Sequence, residues 1–376
     1  MEEDWDAVLR ESIPAVALAG SADDYKRAMM TLIGKVHDTH ANLWNALAVQ
    51  PPVGNCRVPG MIRFVEGRAV VTEQFDTQTD LQVGDVIDAM DGVPVDKLIT
   101  TWKPLYAVSN EAAMLRDMGR NLLKGPCGVV TLKIHRGSQA LALETKRTIV
   151  VLPKVARHDL PGPSYRLLSP EVGYVKISDL KSVEAVPMVQ AFAKTTGMVI
   201  DLRNYPGDFP IFALGSLLME KPTPFVRFSR LDLKNPGAFY FDSPTVMPAK
   251  EPHYAGKIVV LVDEVTQSSA EYHAMAFRAA PNVIVMGSMT AGADGNVSAL
   301  PLPGGLRTMF SGIGVFYPDH RPTQRVGIVP DRIVQPTIGG VREGRDEVLE
   351  AALRHILGAA ADETAVRAMA KHQPQP

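Results

Sequence analysis

The chain has few cysteines, few tryptophans and almost no net charge. Its 376 residues include two cysteines and three tryptophans, and the formal net charge at pH 7 is −2. Two cysteines are too few for a disulfide framework, and Cys56 and Cys127 lack the spacing of metal ligands. They could pair with each other, but the sequence favours two separate buried thiols. The near-neutral charge, without a basic run, argues against a nucleic-acid partner.

Long apolar runs and an N-terminal targeting pattern are also missing. The sequence begins MEEDWDAVLRES, which is acidic and amphipathic, whereas a signal peptide has a basic segment followed by an apolar one. No apolar run reaches the length of a membrane span, so we expect none. The compartment stays open between an intracellular protein and one whose export signal has been removed.

What is present is the composition of a soluble globular protein, with 46% hydrophobic and 21% charged residues. Helical periodicity at the start gives way to short β-like runs, then to a Pro/Gly-rich linker at 157–170 and alternating strands and helices. We therefore predict an α/β fold in four parts. These are an N-terminal helical segment (1–50), a small β-rich domain (55–155), an α/β core with largely parallel strands (165–360) and a loose C-terminal tail (361–376).

The β-rich domain contains the string LQVGDVIDAMDGVPV, residues 81–95. Gly84-Asp85 predicts a turn into an apolar strand, and Asp91-Gly92 predicts the hairpin turn out of it. This string resembles the part of PDZ domains that follows their peptide-binding strand. The resemblance implies a PDZ-like fold, and such a domain binds an extended C-terminus by adding it as a strand.

The stretch 257–277 predicts a buried strand, a short polar turn and a helix. Thr266, Ser268 and Ser269 lie at the bend. The structural interpretation is a helix cap, with Glu271 completing a capping box, and this stretch alone favours it. The functional interpretation is a nucleophile, because such a turn exposes a side chain beside the N–H groups of the helix start.

Two further turns follow predicted strands, DLRNYPGDFP at 201–210 and GSMTAGADGN at 287–296. In a parallel sheet, ligands gather beyond the carboxyl ends of the strands. The two glycine-containing turns would bring backbone N–H donors towards the serine turn, and an oxyanion hole requires such donors. Asp208, Asp294 and Asn296 are candidate substrate contacts on these turns.

Five strings, VDEVTQSSAE, GMVIDLRNYPGD, GSMTAGADGN, LPGG and RVGIVPD, resemble the C-terminal-processing and tricorn-core family of serine peptidases. The resemblance runs from roughly residue 30 to residue 355. Members place a PDZ-like domain before the core, which implies a ClpP/crotonase-like α/β peptidase core here. The resemblance also implies that Ser268 is the nucleophile and that the N–H groups of Ser269 and Gly207 form the oxyanion hole. Asp208 replaces the family's second glycine, which puts the conformation of that turn in doubt.

The two branches of this family use different residues to activate the serine. The processing branch uses a lysine in a TFGKG-like string, but the corresponding slot holds Ala293, and no lysine lies between Lys257 and Lys371. The tricorn-like branch uses an upstream histidine instead, and HDTHAN supplies His40. An imidazole with a pKa near 6.5 can accept and return a proton at neutral pH.

The same branch implies two residues that orient the imidazole. One is the hydroxyl residue before the histidine, here Thr39. The other is a glutamate before a GVxPD-like string, and that slot holds Gln324. Asp263 and Glu264 precede the serine turn, and we expect them to be structural or solvated.

The sequence thus predicts a serine endopeptidase that takes a peptide or protein substrate, recognised through its C-terminus, and that uses no metal or organic cofactor. Relatives of this kind are often exported, so we expect a periplasmic or extracellular protein whose signal has been removed. Two alternatives stay open. One is a catalytically inactive PDZ-containing peptide-binding protein, and the other is a crotonase-like acyl-thioester enzyme.

Overall fold

The computed structural model describes residues 3–76, 79–152 and 157–371. The helices are α1 (Trp5–Ala17), α2 (Ala22–Gly34), α3 (Val95–Trp102), α4 (Glu111–Leu122), α5 (Ala185–Ala191), α6 (Ile211–Gly215), α7 (Ser269–Arg278), α8 (Ile338–Arg342), α9 (Glu347–Leu357) and α10 (Glu363–Ala370). The strands are β1 (Cys56–Arg57), β2 (Gly60–Val65), β3 (Arg68–Gln74), β4 (Val86–Met90), β5 (Val93–Pro94), β6 (Lys124–Gly125), β7 (Gly128–Arg136), β8 (Gln139–Arg147), β9 (Tyr165–Ser169), β10 (Val172–Lys176), β11 (Gly197–Asp201), β12 (Thr223–Leu231), β13 (Phe239–Phe241), β14 (Thr245–Met247), β15 (Lys257–Val262), β16 (Val283–Gly287), β17 (Val297–Leu302), β18 (Leu306–Ser311), β19 (Gly314–Phe316) and β20 (Arg332–Ile333).

The chain divides into two compact units. The first comprises Met1–Leu152 and Val297–Ser311, and the second comprises Pro153–Asn296 and Gly312–Pro376. The hairpin β17–β18 therefore groups with the N-terminal half, although its sequence lies inside the predicted core. Its two strands pair antiparallel from Val297↔Ser311 to Leu302↔Leu306.

The first unit contains an antiparallel sheet in the order β2-β3-β4-β7-β8, with β5 paired to β4. Asp91 and Gly92 have φ of 48° and 79° and join β4 to β5, as the hairpin signal predicted. Ser21 caps the start of α2, because its hydroxyl accepts a hydrogen bond from the Asp24 N–H. Helix α4, which the sequence pattern did not predict, buries Met118 and Leu122.

The prediction of two separate thiols is wrong. Cys56 and Cys127 form a disulfide that links positions 71 residues apart. Strand β1 pairs with β6 so that Cys56 lies opposite Gly125, two residues before Cys127. This short pairing brings the two cysteines together. The spacing of the cysteines in the sequence did not predict the disulfide.

The second unit is built on a six-stranded sheet in the order β20-β16-β15-β11-β10-β9. The strands from β20 to β10 are parallel, and β9 pairs antiparallel at the edge. Along β15, Ile258, Val260 and Val262 belong to the cluster that includes residues of α5, α6 and α7. Val259 and Leu261 belong to the cluster on the opposite face, which includes residues of α9. Burial on both faces explains the unbroken apolar run, and the predicted α/β core is confirmed.

Two parts of the second unit differ from the sequence prediction. Strand β12 pairs antiparallel with β13, β14 and β19, and this sheet was not predicted. The predicted loose tail contains α10, whose Val366 and Ala370 are buried. The last five residues of that tail lie outside the described residues. In the part of the chain that the structure describes, no helix is long and apolar enough to cross a membrane.

Candidate active site

The serine turn joins β15 to α7, and Thr266 organises it. The Thr266 hydroxyl donates to the Leu202 carbonyl (2.8 Å) and accepts from the Asp263 N–H (3.0 Å). Ser268, the N-cap of α7, has φ 55° and ψ −118°. The backbone of a residue other than glycine is strained at such a φ, and residues strained in this way cluster at functional sites. A nucleophile on a strand-to-helix turn has this character.

Glu271 is the buried centre of this turn. Its carboxylate accepts four hydrogen bonds, from the N–H groups of Ser268 (3.1 Å), Gly292 (2.8 Å) and Ala293 (3.0 Å) and from the Thr290 hydroxyl (2.5 Å). The bond from Ser268 agrees with the expected cap. Burial raises the pKa of Glu271, and the hydrogen bonds act in the opposite direction. The carboxylate thus ties the serine turn to the loop 288–296, a link that the sequence did not indicate.

The carboxyl ends of three neighbouring strands converge here, as predicted. Strand β15 lies between β11 and β16, and all three are parallel. The Leu202 N–H donates to the Leu261 carbonyl (2.9 Å), and the Ser288 N–H donates to the Val262 carbonyl (3.1 Å). The turns after these strands therefore leave the same edge of the sheet.

The turn after β11 contains Gly207 and Asp208. The Gly207 N–H donates to the Ser178 carbonyl (3.0 Å), and a Cβ at Gly207 would lie 2.4 Å from that oxygen. The Asp208 carboxylate accepts from the Ser182 N–H (2.7 Å) and hydroxyl (3.0 Å), and the bond from the Ser182 N–H is the largest cause that lowers the pKa of Asp208. The predicted oxyanion donor is therefore engaged with the segment that follows β10.

Ser269, the other predicted donor, is the first residue of α7. The N–H at this position has no intrahelical acceptor, because the helix begins there. Its carbonyl accepts from Nδ1 of His273 (2.6 Å), whose ring lies edge-on to Phe209 at 5.2 Å between ring centres. Burial lowers the pKa of His273 to about 4. Sequence reasoning missed this histidine, although its position four residues after Ser269 places both on one face of a helix.

The loop 288–296 carries two predicted substrate contacts that differ in exposure. Asp294 is 3% exposed, and its Oδ1 accepts from the Gly295 N–H (2.7 Å). Burial and the nearby Glu271 raise the pKa of Asp294 well above its ordinary value. Asn296 is exposed, and its carbonyl accepts from the Gly312 N–H (2.7 Å). Asn296 is thus the more accessible of the two.

Gln324 supports the same loop. Its side-chain amide donates to the carbonyls of Asp294 (2.8 Å) and Ile313 (2.7 Å). Its side-chain oxygen accepts from the Val315 N–H (3.3 Å). The resemblance had implied that Gln324 orients an imidazole, whereas these bonds hold backbone segments of the second unit.

His40 lies in the first unit, in a three-residue 3₁₀-helix, Thr39–Ala41, capped by Asp38. The Thr39 hydroxyl donates to the Ser109 hydroxyl (3.1 Å) and accepts from the Ser109 N–H (2.9 Å). This differs from the expected contact with the His40 ring. Nδ1 of that ring lies 3.1 Å from the Ser311 hydroxyl instead.

One group of side chains has the composition of a metal site. Single ligand atoms of His158, Asp263 and Glu264 all lie within 4.8 Å of one another. Nδ1 of His158 is 2.5 Å from an Asp263 oxygen, which is a hydrogen-bonding distance. Two ligand atoms on one tetrahedral zinc ion would be about 3.3 Å apart. His158 and Asp263 are therefore joined by a hydrogen bond, and Asp263 has a structural role.

The comparisons with known proteins bear on the family and the fold. Residues 171–334 match Peptidase family S41. No curated protein matches the chain. Mature CPAF is similar in structure, with 15% identity, a TM-score of 0.73 and coverage of 96% of this chain and 93% of that one. CPAF complexed with lactacystin shows 16% identity, a TM-score of 0.71 and coverage of 91% and 90%. A putative peptidase from Parabacteroides merdae shows 15% identity, a TM-score of 0.55 and coverage of 96% and 92%. At these identities the solved structures establish a shared fold.

The family match indicates the class of a serine-type peptidase, which is a hydrolase. Residues 171–334, the part of the chain that the family model matches, resemble the S41 family of serine peptidases. The class predicted from the sequence is therefore confirmed.

Proposed function

We propose that the chain is a serine endopeptidase that hydrolyses peptide bonds of polypeptide substrates, with Ser268 as nucleophile and His40 as general base. The backbone of Ser268 carries this proposal, because it keeps a strained positive φ at the start of α7 while the buried Glu271 holds its turn. Strain of this kind persists only where the surrounding structure enforces it.

In the proposed reaction the Ser268 hydroxyl attacks the scissile carbonyl and forms a tetrahedral intermediate. His40 accepts the serine proton and returns it to the leaving amine, which breaks the peptide bond and leaves an acyl-enzyme that water hydrolyses. The N–H groups of Ser269 and Gly207 donate to the oxyanion. For Gly207 this requires its N–H to leave the Ser178 carbonyl, to which it donates in the structure.

The remaining predicted site residues have supporting roles in this proposal. Thr39 fixes the turn that carries His40 through its bonds to Ser109, and Gln324 fixes the loop 288–296. Asn296 contacts the substrate from the exposed end of that loop. The Asp208 carboxylate fixes its turn by accepting from Ser182, and the Asp294 carboxylate accepts from the neighbouring Gly295 N–H.

The β-rich part of the first unit is proposed to be PDZ-like and to recruit peptide C-termini by adding them to a sheet edge. The edge strands of its main sheet are β2 and β8. The disulfide supports the further proposal of an exported protein, because disulfides persist mainly in oxidising compartments.

Hydrolysis of an unfolded protein such as casein tests the proposal. Ser268→Ala and His40→Ala should each lower kcat by roughly 10⁴-fold or more, because either change removes a member of the proton-transfer pair. Ser138→Ala removes an exposed hydroxyl in the turn between β7 and β8 and is the matched control. Full activity in Ser268→Ala would refute the nucleophile, and full activity in His40→Ala alone would refute the base.

A further inference from the structure

The imidazole of His40 is held by two groups that the family resemblance does not assign. The side chain of His40 is almost buried, with 7% of the residue exposed. Its Nδ1 lies 3.1 Å from the Ser311 hydroxyl and 3.5 Å from an oxygen of Asp38. All three residues belong to the first unit.

One carboxylate links the two sides of this arrangement. Asp38 Oδ1 accepts from the His40 N–H (2.9 Å), and Asp38 Oδ2 accepts from the Ser311 N–H (2.5 Å). Burial acts to raise the pKa of Asp38, but the hydrogen bonds from His40 and Ser311 outweigh it, and the pKa lies below its ordinary value. Asp38 is therefore ionised at neutral pH and fixes the histidine turn against the last residue of β18.

An ionised carboxylate beside Nδ1 determines where a neutral imidazole carries its proton. A neutral histidine has one ring N–H, and an acceptor next to one nitrogen favours the proton there. With the proton on Nδ1, Nε2 has its lone pair available to accept a serine proton. The same carboxylate stabilises the imidazolium that then forms.

We infer that Asp38 and Ser311 are positioning residues that hold His40 in the tautomer with the proton on Nδ1 and with Nε2 able to act as the base. This inference rests on the proposed role of His40. It differs from the assignment to Thr39 and Gln324, because the Thr39 hydroxyl is engaged with Ser109 and the Gln324 amide with backbone carbonyls.

Asp38 could also serve only as the cap of the 3₁₀-helix, and the substitution Asp38→Asn separates the two roles. Asparagine keeps an oxygen that can accept the cap hydrogen bond, so the local fold is retained. The negative charge beside Nδ1 is lost. The other side chains with described hydrogen bonds to this turn are uncharged, so Asp38 is the charged group beside the imidazole; they are Asn42, Trp44, Ser109, Thr308 and Ser311.

The first experiment measures kcat, KM and their pH dependence for hydrolysis of an unfolded protein. We expect Asp38→Asn to lower kcat by roughly 10²- to 10⁴-fold with little change in KM, and to move the acid limb of kcat/KM to lower pH. Ser311→Ala should lower kcat by roughly tenfold, because one hydrogen bond is lost. Asp4→Asn makes the same change at the cap of α1 and is the matched control. Wild-type kcat in both Asp38→Asn and Ser311→Ala would overturn the inference.

The second experiment does not depend on catalysis. Ring ¹⁵N chemical shifts of the full chain labelled in histidine report the tautomer of His40, whose signals are identified by their loss in His40→Gln. We expect the proton on Nδ1 in the wild type and a shift of population towards Nε2 in Asp38→Asn. The same tautomer of His40 in the wild type, Asp38→Asn and Ser311→Ala would overturn the inference. Loss of the Nδ1 proton in Asp38→Asn together with a wild type that hydrolyses nothing would support the inference and refute the proposed function.

Discussion

Ser268 lies beyond the carboxyl end of a buried parallel strand, whereas His40 lies in a three-residue 3₁₀-helix. The serine turn is held by Thr266 and by the four bonds to Glu271. The histidine turn depends on Asp38 and on Ser311, which is 271 positions away in the sequence. The proposed nucleophile is thus fixed mainly by neighbouring strands, and the proposed base by a contact between distant segments.

The two units also differ in what stabilises them. The first unit carries the disulfide, and its hydrophobic residues fall into several clusters. The second unit packs large clusters on both faces of its central sheet. We therefore expect the cross-link to contribute most to the stability of the unit that contains His40. In the unit that contains Ser268, we expect the buried hydrogen bonds of Glu271 to contribute most to the stability of the serine turn.

The largest expected effect is loss of the disulfide. Cys56→Ser with Cys127→Ser should lower the free energy of unfolding of the first unit by about 4 kcal/mol, because the cross-link closes a long loop. Trp5, Trp44 and Trp102 are the three tryptophans and all lie in that unit, so their fluorescence during urea unfolding reports it. An unchanged midpoint would show that the cross-link does not stabilise this unit.

The next effect is on the serine turn. Glu271→Gln should lower the free energy of unfolding by about 3 kcal/mol, because the amide would direct its own N–H groups at N–H donors. It should also lower kcat, since the turn loses its support. Urea unfolding followed by circular dichroism measures the stability, with Glu220→Gln on an exposed carboxylate as control. Equal stability of the two variants would contradict the role of Glu271.

The buried His273 should make the free energy of unfolding of the second unit depend on pH. Its pKa is about 4 in the folded chain, below the ordinary 6.5, so the unfolded state binds the proton first and stability falls as the pH falls through this window. Between pH 7.5 and pH 5 the loss should be about 2 kcal/mol. His273→Phe should remove this component in urea unfolding at the two pH values. The same pH dependence in His273→Phe would show that other groups cause it.

The smallest effect concerns the turn 201–210, which contains the proposed oxyanion donor Gly207. Asp208→Gly removes the acceptor of both Ser182 bonds, so the Gly207 N–H should leave the Ser178 carbonyl more readily. Since one hydrogen bond is worth about 1 kcal/mol, kcat should rise by up to about tenfold. Steady-state hydrolysis measures the gain. A fall in kcat would show that the Asp208 contacts support the active conformation.

The comparison also explains what the sequence could predict. The apolar run of β15 and the turns after β11 and β16 carry local signals, and strand order brings them together by general rules. The serine turn and its neighbours were therefore predictable. The role of Glu271 was predictable only as a cap, because its bonds to Gly292 and Ala293 depend on how two turns pack.

Contacts between distant segments were not predictable from pattern. The disulfide depends on the pairing of β1 with β6, strands of two residues each. The Ser311–His40 contact depends on a hairpin that groups with the N-terminal half. Short strands and crossing segments carry no periodic signal, so local rules could not place them.

The most direct test of the central claim is labelling by a fluorophosphonate probe, which reacts with activated serines. We expect the wild type to be labelled at Ser268 and Ser268→Ala not to be labelled. We expect His40→Ala to be labelled far more slowly than the wild type. Mass spectrometry of the peptide that contains residues 262–278 identifies the modified residue. Labelling of a different serine, or an equal rate in His40→Ala, would contradict the account.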